Sequence, residues 1–152
     1  MTSAPAHVEL PDLALRVRRR GWRMSAQRRA VVDVFSGEHV HLTADEILLQ
    51  ARQDLPEISR ATVYNTLADL VEMGELLAVS AGDGPKRYDP NVARPHHHLM
   101  CTRCGALKDV VPEGLEALNL SAAELHGYRL VGVDITFRGL CADCSGAAST
   151  PK

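Results

Sequence analysis

The four cysteines of this 152-residue chain form two pairs, and two residues separate the cysteines of each pair. The pairs are Cys101 with Cys104 and Cys141 with Cys144. Thiolates at this spacing in a tight turn can reach one ion, and two such turns complete a closed tetrahedral zinc site. The alternatives are two disulfides or a redox-active pair, which a reducing compartment disfavours. The pattern therefore predicts one structural Zn²⁺ held by four thiolates.

A second set of potential ligands combines imidazoles with carboxylates. His96, His97 and His98 are consecutive, and alternation along a strand places the first and third of them on one face. Three further side chains complete the set: His41, Asp89 and Asp109. These nitrogen and oxygen donors are harder than thiolates and suit Fe²⁺ or Mn²⁺ as well as Zn²⁺. From spacing alone, a surface histidine cluster that binds nothing is an equally good interpretation.

Two other classes of protein fit the sequence less well. A zinc hydrolase or deaminase needs an open metal position and a glutamate base. The chain has neither H-E-x-x-H nor H-x-E combined with P-C-x-x-C, and a four-cysteine site has no open position. A pure zinc-ribbon interaction module would not need the helical first half. We therefore expect a protein that is not an enzyme.

The first half of the chain carries the start and stop signals of helices. A helix is predicted over 10–20, a second begins at Ser25, a third begins with the capping box of Thr43 and Glu46, and a fourth runs over 59–74. Short strands over 76–79 and 86–88 follow. This order predicts a winged helix-turn-helix, whose usual ligand is DNA.

The second half predicts a smaller unit of mixed structure. Its strands are expected over 98–101, 106–111 and 129–137, with a helix within 113–126. The fold class is therefore α+β, with a winged-helix domain over 1–89, a hinge over 90–95, a small α/β domain over 96–145 that contains the zinc site, and a flexible tail over 146–152.

The fourth helix has two different sides. At 100° per residue its apolar side chains cluster on one side and Asn65 lies near the middle of the other, between small alanines. An asparagine can pair bidentately with adenine in the major groove. An ordinary solvent-exposed face is the alternative. The side chains predicted to contact DNA lie here and in the arginine-rich segment before it: Arg23, Arg28, Arg60, Thr62, Tyr64 and Asn65.

Charge is unevenly distributed along the chain. The net charge is −2, which by itself argues against a nucleic-acid ligand, but residues 16–29 hold seven arginines and no acid. With 45% hydrophobic and 24% charged residues and no long apolar run, the sequence predicts neither disorder nor a membrane span. Charged residues stand where a signal peptide would have its apolar core, so we expect a cytoplasmic protein.

Five motifs occur in an order typical of one family: GWRMSAQR at 21–28, HLTAD at 41–45, SRATVYN at 59–65, RYD at 87–89 and HHHLMCTRCG at 96–105. Over roughly 10–144 the chain resembles the ferric uptake regulator (Fur) family. The resemblance implies a homodimeric repressor that binds a double-stranded DNA operator. It also implies a dimerisation role for the second domain, structural zinc and a regulatory metal that joins the two domains.

Within that family the chain resembles the peroxide-sensing, PerR-like branch. The matching regulatory ligands are His41, Asp89, His96, His98 and Asp109. Iron-sensing members usually have glutamates in place of the two aspartates, and Asn65 is also typical of peroxide sensors. The resemblance implies that peroxide reacting at bound Fe²⁺ oxidises His41 or His96, which releases the DNA and derepresses oxidative-stress genes, whereas Mn²⁺ is unreactive. An iron-responsive or other metal-responsive repressor is the alternative.

Overall fold

The structure, a computed structural model, describes residues 12–36, 41–80, 82–93 and 96–146. The chain divides into two compact units, residues 1–94 and 95–152. Three predicted features fall at least in part outside the described residues: the start of the first helix, the end of the hinge, and the tail after Gly146. Among the described helices, none is both long enough and apolar enough to cross a membrane.

The described residues of the first unit form four helices and a small antiparallel sheet. Its elements are α1 (Leu13–Arg19), α2 (Ala26–Asp33), β1 (Leu42–Thr43), α3 (Ala44–Asp54), α4 (Arg60–Glu72), β2 (Leu77–Val79) and β3 (Arg87–Asp89). The strand order in the sheet is β1, β3, β2. Helices followed by a hairpin form the winged helix-turn-helix that the sequence predicts.

Side-chain caps fix where the helices of the first unit begin. The hydroxyl of Ser25 accepts a hydrogen bond from the N–H of Arg28, and that of Ser59 accepts one from Thr62. Thr43 and Glu46 form a complete capping box, in which each side chain bonds the backbone N–H of the other. The predicted starts of α2, α3 and α4 are confirmed.

Every helix of the first unit contributes to one apolar core. Val17 of α1, Val31 of α2, Ile47 of α3 and Leu67 of α4 are all fully buried. Because α4 buries its apolar side against the other helices, its opposite side is left facing solvent. The fold itself therefore decides which residues of α4 are available to a ligand.

The second unit is a three-stranded sheet with little apolar core. The central strand β4 (His97–Cys101) pairs antiparallel with β5 (Leu107–Val110) and parallel with β6 (Thr136–Gly139). A 3₁₀-helix (Leu115–Ala117) follows β5, and α5 (Ala142–Ser145) follows β6. Besides the predicted zinc ligand Cys101, only two apolar side chains of the unit are buried among its described residues: Met100 and Leu107.

In the second unit one predicted helix is mostly absent, and one predicted strand is too long. The helix expected within 113–126 is only the short 3₁₀-helix and a series of turns, since Leu118 and Leu120 are about half exposed and no packed face stabilises a longer helix. The strand expected over 129–137 begins at Thr136, because only residues 136–139 pair with β4. The sequence analysis also missed β1, which has two residues.

Candidate metal centres and nucleic-acid interface

The four cysteines converge at one end of the second sheet. Cys101 ends β4, and the pairing of Cys101 with Gly139 of β6 brings it next to the turn that leads into α5. The four Sγ atoms all lie within 4.8 Å of one another, and those of Cys104 and Cys141 are 3.7 Å apart. Tetrahedral zinc with Zn–S bonds of about 2.3 Å requires S···S distances of about 3.8 Å. The cluster therefore fits a zinc ion and is not a pair of disulfides.

Backbone groups of the cluster stabilise one thiolate in particular. The N–H of Cys141 donates to the Sγ of Cys101 at 3.4 Å. Such N–H donors, from Cys104 first and then Cys141, lower the pKa of Cys101 to about 5. The sulfur of Cys141 has the opposite influence on Cys144 and raises the pKa of that thiol to about 12, with burial as the second cause. The guanidinium of Arg103 donates to the carbonyl of Cys144 and ties the two turns together.

The first unit brings together two of the predicted regulatory ligands, His41 and Asp89. In the antiparallel register Leu42 pairs with Tyr88, so the preceding and following residues of the two strands lie side by side. The Nε2 atom of His41 is 3.3 Å from Oδ2 of Asp89, and both side chains are buried. The other oxygen of Asp89 accepts a hydrogen bond from the N–H of Asn91 at 2.8 Å.

The second unit brings together the other three, His96, His98 and Asp109. His98 pairs directly with Asp109 across β4 and β5. The Nε2 atoms of His96 and His98 lie 3.7 Å and 3.8 Å from the same oxygen, Oδ1 of Asp109. Their rings are close to perpendicular, with centroids 4.9 Å apart. His97 has a different environment, because its Nδ1 accepts a hydrogen bond from the N–H of Ile135 at 3.1 Å.

Each unit thus holds part of a mixed imidazole and carboxylate donor set. The first unit supplies one imidazole and one carboxylate, and the second supplies two imidazoles and one carboxylate. This donor chemistry suits a divalent first-row metal such as Mn²⁺, Fe²⁺ or Zn²⁺ and is distinct from the thiolate cluster.

The solvent-facing side of α4 is the candidate nucleic-acid interface. Ala61, Tyr64, Asn65 and Ala68 are exposed on it. Thr62 is half-buried and is part of the helix start, since its hydroxyl lies 2.9 Å from that of Ser59. Asn65 is therefore flanked by small side chains on an open face, an arrangement that allows close approach to base edges.

The three predicted DNA-contacting arginines have different surroundings. Arg23 is exposed. Arg60 pairs with Asp45, which raises the pKa of its guanidinium. Arg28 lies 4.2 Å above the ring of Trp22 and donates to the carbonyl of Arg23 and to a carboxylate oxygen of Asp69. Arg28 therefore already has contacts that hold α2 against α4.

Much of the arginine-rich segment is neutralised within the first unit. Arg16 and Arg20 both bind the buried carboxylate of Glu75, at 2.7 Å and 2.6 Å. Arg28 pairs with Asp69, and Arg29 lies 3.9 Å from Asp33. Four of the seven arginines therefore have acidic partners that lie outside the segment. This is why the local count overstates its free positive charge.

Sequence reasoning missed the residues that support the predicted ligands. Arg87 donates to the carbonyl of His41 at 2.9 Å, and Asn91 donates to Asp89. Arg16 donates to the carbonyl of Pro90 at 3.1 Å. The position of Arg87, two residues before Asp89 on one strand, is a signal that could have identified it. Arg16 and Pro90 are 74 residues apart, so no local sequence pattern indicates their contact.

Comparison with known proteins identifies related sequences and structures. The model of the Ferric uptake regulator family matches residues 19–138. The Ferric uptake regulation protein of Bacillus subtilis is 34% identical over 129 residues, which are 82% of this chain and 87% of that protein. The Peroxide-responsive repressor PerR of Staphylococcus saprophyticus is 31% identical and covers 90% of this chain and 91% of its own. A solved zinc uptake regulator complexed with zinc and DNA is 28% identical, with a TM-score of 0.65 and coverage of 89% and 93%.

Proposed function

Because the chain belongs to the ferric uptake regulator family, whose members are metal-responsive transcriptional regulators, we propose that it is a metal-dependent repressor that senses peroxide. The observation that carries the proposal is that an aspartate lies beside the histidine ligands in each unit. Asp89 lies beside His41 in the first unit, and Asp109 lies beside His96 in the second. The similarity to a peroxide-responsive repressor at 31% identity supports it.

The partner in this proposal is a double-stranded DNA operator, bound by a homodimer. A zinc uptake regulator that is 28% identical to this chain has been solved in complex with zinc and DNA, which supports the DNA part of the proposal. In the first unit, α4 presents Asn65 to base edges and Arg23 is available to phosphates. Exposed apolar side chains in the second unit are suited to contact with a second copy of the chain. Seven of them are at least 40% exposed: Leu118, Leu120, Tyr128, Leu130, Val131, Val133 and Phe137.

The cysteine cluster has a structural role in this proposal. A Zn²⁺ ion held by Cys101, Cys104, Cys141 and Cys144 would connect the end of β4 to the end of β6. A closed four-thiolate site leaves no position for a substrate. Metal binding of this kind contributes directly to folding, which suits a unit in whose described part only two apolar side chains other than the ligand Cys101 are buried.

The histidine and aspartate ligands have the regulatory role. His41 and Asp89 of the first unit, with His96, His98 and Asp109 of the second, would share one Fe²⁺ or Mn²⁺ ion and so favour the arrangement of units that binds DNA. Bound Fe²⁺ would supply the redox chemistry by which H₂O₂ is reduced to water while one oxygen atom is inserted into the imidazole of His41 or His96. The oxidised imidazole no longer holds its ligand position, and DNA affinity falls.

Intact-mass analysis with a DNA-binding assay tests this proposal. Protein loaded with Fe²⁺ should gain one oxygen atom on the peptide that contains His41 or His96 and lose operator affinity after low peroxide. Mn²⁺-loaded protein should keep both its mass and its affinity. An Asp109→Glu variant should retain metal-dependent DNA binding with less oxidation, because the longer carboxylate changes the metal coordination.

The second candidate function is an iron-responsive repressor. The B. subtilis relative, at 34% identity, favours it. In that case Fe²⁺-loaded protein would keep its mass and its DNA affinity under peroxide and would release DNA only on iron removal. That result would replace the peroxide proposal.

A further inference from the structure

We propose that Arg16 is a positioning residue that holds Asp89 in its metal-binding conformation. The inference rests on the proposed regulatory role of Asp89. Arg16 is far from Asp89 in sequence and is not itself one of the candidate ligands. Its importance comes from the backbone group that it binds.

The side chain of Arg16 joins three segments of the first unit. Its Nε donates to the Glu75 carboxylate at 2.7 Å. Its Nη2 donates to the carbonyl of Glu75 at 2.9 Å and to that of Pro90 at 3.1 Å. Both charged side chains are nearly buried, with 11% of Arg16 and 6% of Glu75 exposed. A buried guanidinium with three fixed acceptors has little conformational freedom, so the Pro90 carbonyl is held in place.

The carbonyl that Arg16 binds belongs to Pro90, the residue directly after Asp89. The next residue, Asn91, donates its backbone N–H to Oδ1 of Asp89 at 2.8 Å. This bond requires the chain over 89–91 to keep a tight turn. The same turn orients the other oxygen of Asp89, Oδ2, toward Nε2 of His41. Outer contacts of this kind fix the orientation of metal ligands, and their loss typically weakens metal binding about 10- to 100-fold.

Arg20 provides a matched control because it shares the same acid. Its Nε lies 2.6 Å from Oε1 of Glu75, and its side chain is 54% exposed. Within the described part of the chain, Arg20 has no hydrogen bond to Pro90. A substitution at Arg20 therefore weakens the charge pairing of Glu75 and leaves the turn over 89–91 alone.

The experiment compares Mn²⁺ affinity by calorimetry in the zinc-containing full-length protein and in two variants, Arg16→Lys and Arg20→Gln. Lysine keeps a positive charge beside Glu75 but lacks the planar fork that bonds Glu75 and Pro90 together. We expect Arg16→Lys to bind Mn²⁺ about tenfold more weakly, with zinc content and Trp22 fluorescence unchanged. Arg20→Gln should bind Mn²⁺ like the unsubstituted protein.

Hydrogen exchange gives a second measurement that does not depend on metal. In metal-free Arg16→Lys the amide of Asn91 should exchange faster than in the unsubstituted protein, because Arg16 no longer holds the Pro90 carbonyl and with it the turn that brings Oδ1 of Asp89 to this amide. Unchanged Mn²⁺ affinity or unchanged Asn91 exchange would overturn the inference. If Arg16→Lys does not fold, Arg16→Gln is measured instead, and failure of both to fold would show that Arg16 is only structural and overturn it too.

The outcomes also separate this inference from the proposed function. If the unsubstituted protein does not bind Mn²⁺, or if Asp89→Ala binds it equally well, the proposed regulatory site is wrong. If the unsubstituted protein binds Mn²⁺ through Asp89 and Arg16→Lys binds it with the same affinity, only the role of Arg16 is wrong.

Discussion

Single residues in this protein take their roles from the partners that the fold gives them. The two oxygens of Asp89 differ in this way, since Oδ1 accepts from the backbone of Asn91 while Oδ2 faces His41. The arginines differ as well. Arg28 packs on Trp22 and binds Asp69, whereas Arg23 is exposed. Charge and residue type alone do not distinguish a structural arginine from one available to DNA.

At the residue scale, we predict different consequences for Asn65→Arg and Arg23→Ala. Asn65 lies on the exposed side of α4, so Asn65→Arg should change the preference between operator variants. Arg23→Ala should weaken binding to all sequences about equally and reduce the salt slope by about one, as loss of one phosphate contact does. Competition binding on two operators at several salt concentrations measures both. An unchanged preference in Asn65→Arg would refute the assignment of base contacts to this residue.

The elements place the ligands through caps and strand register. Thr43, the N-cap of α3, lies two residues after His41, and the pairing of β1 with β3 sets His41 beside Asp89. The pairing of β4 with β5 sets His98 opposite Asp109. Main-chain hydrogen bonds between strands therefore place His41 beside Asp89 and His98 opposite Asp109.

At the element scale, loss of the capping box should destabilise the first unit. Thr43→Ala removes the hydroxyl that accepts from the N–H of Glu46, so we expect a loss of about 1 kcal/mol in the free energy of unfolding. Thr43→Ser is the matched control, because it lacks the same methyl group but keeps the hydroxyl. Urea titration followed by Trp22, the single tryptophan, reports on this unit. Equal midpoints for the two variants would show that the cap contributes nothing.

The two units of the molecule differ in how much apolar core they contain. Apolar side chains from all four helices fill the core of the first unit. Over 96–146, the described part of the second unit, few apolar side chains are buried and many are exposed, such as Val131 at 91% and Tyr128 at 76%. A small domain with so little core needs a metal or a partner subunit to fold. In the proposed dimer, the zinc ion and the second copy both meet that need.

At this scale, we predict that zinc and dimerisation are lost together. Cys104→Ser removes one of the four thiolates, so zinc content should fall and the dimer should dissociate as the second unit unfolds. Thr102→Ser, in the same turn but not a predicted ligand, is the control. Metal analysis and analytical ultracentrifugation provide the measurements, and Trp22 fluorescence should show that the first unit stays folded. A Cys104→Ser protein that is fully zinc-loaded and dimeric would contradict the proposed site.

The sequence alone determined the features that depend on local spacing. Helix caps, the apolar side of α4, the paired cysteines and the hairpin are all set by residues within a few positions of one another. Periodicity and capping act over one or two turns of chain, so they can be detected without tertiary structure.

Only the tertiary structure decided which distant groups meet. The binding of Glu75 and Pro90 by Arg16 spans 59 and 74 residues, and no local pattern predicts it. The single chain has no helix over 113–126, because a helix depends on burial of its apolar side and nothing within this chain covers Leu118 and Leu120. Hydrophobic pattern predicts which side of an element would be buried, whereas packing determines whether there is anything to bury it against.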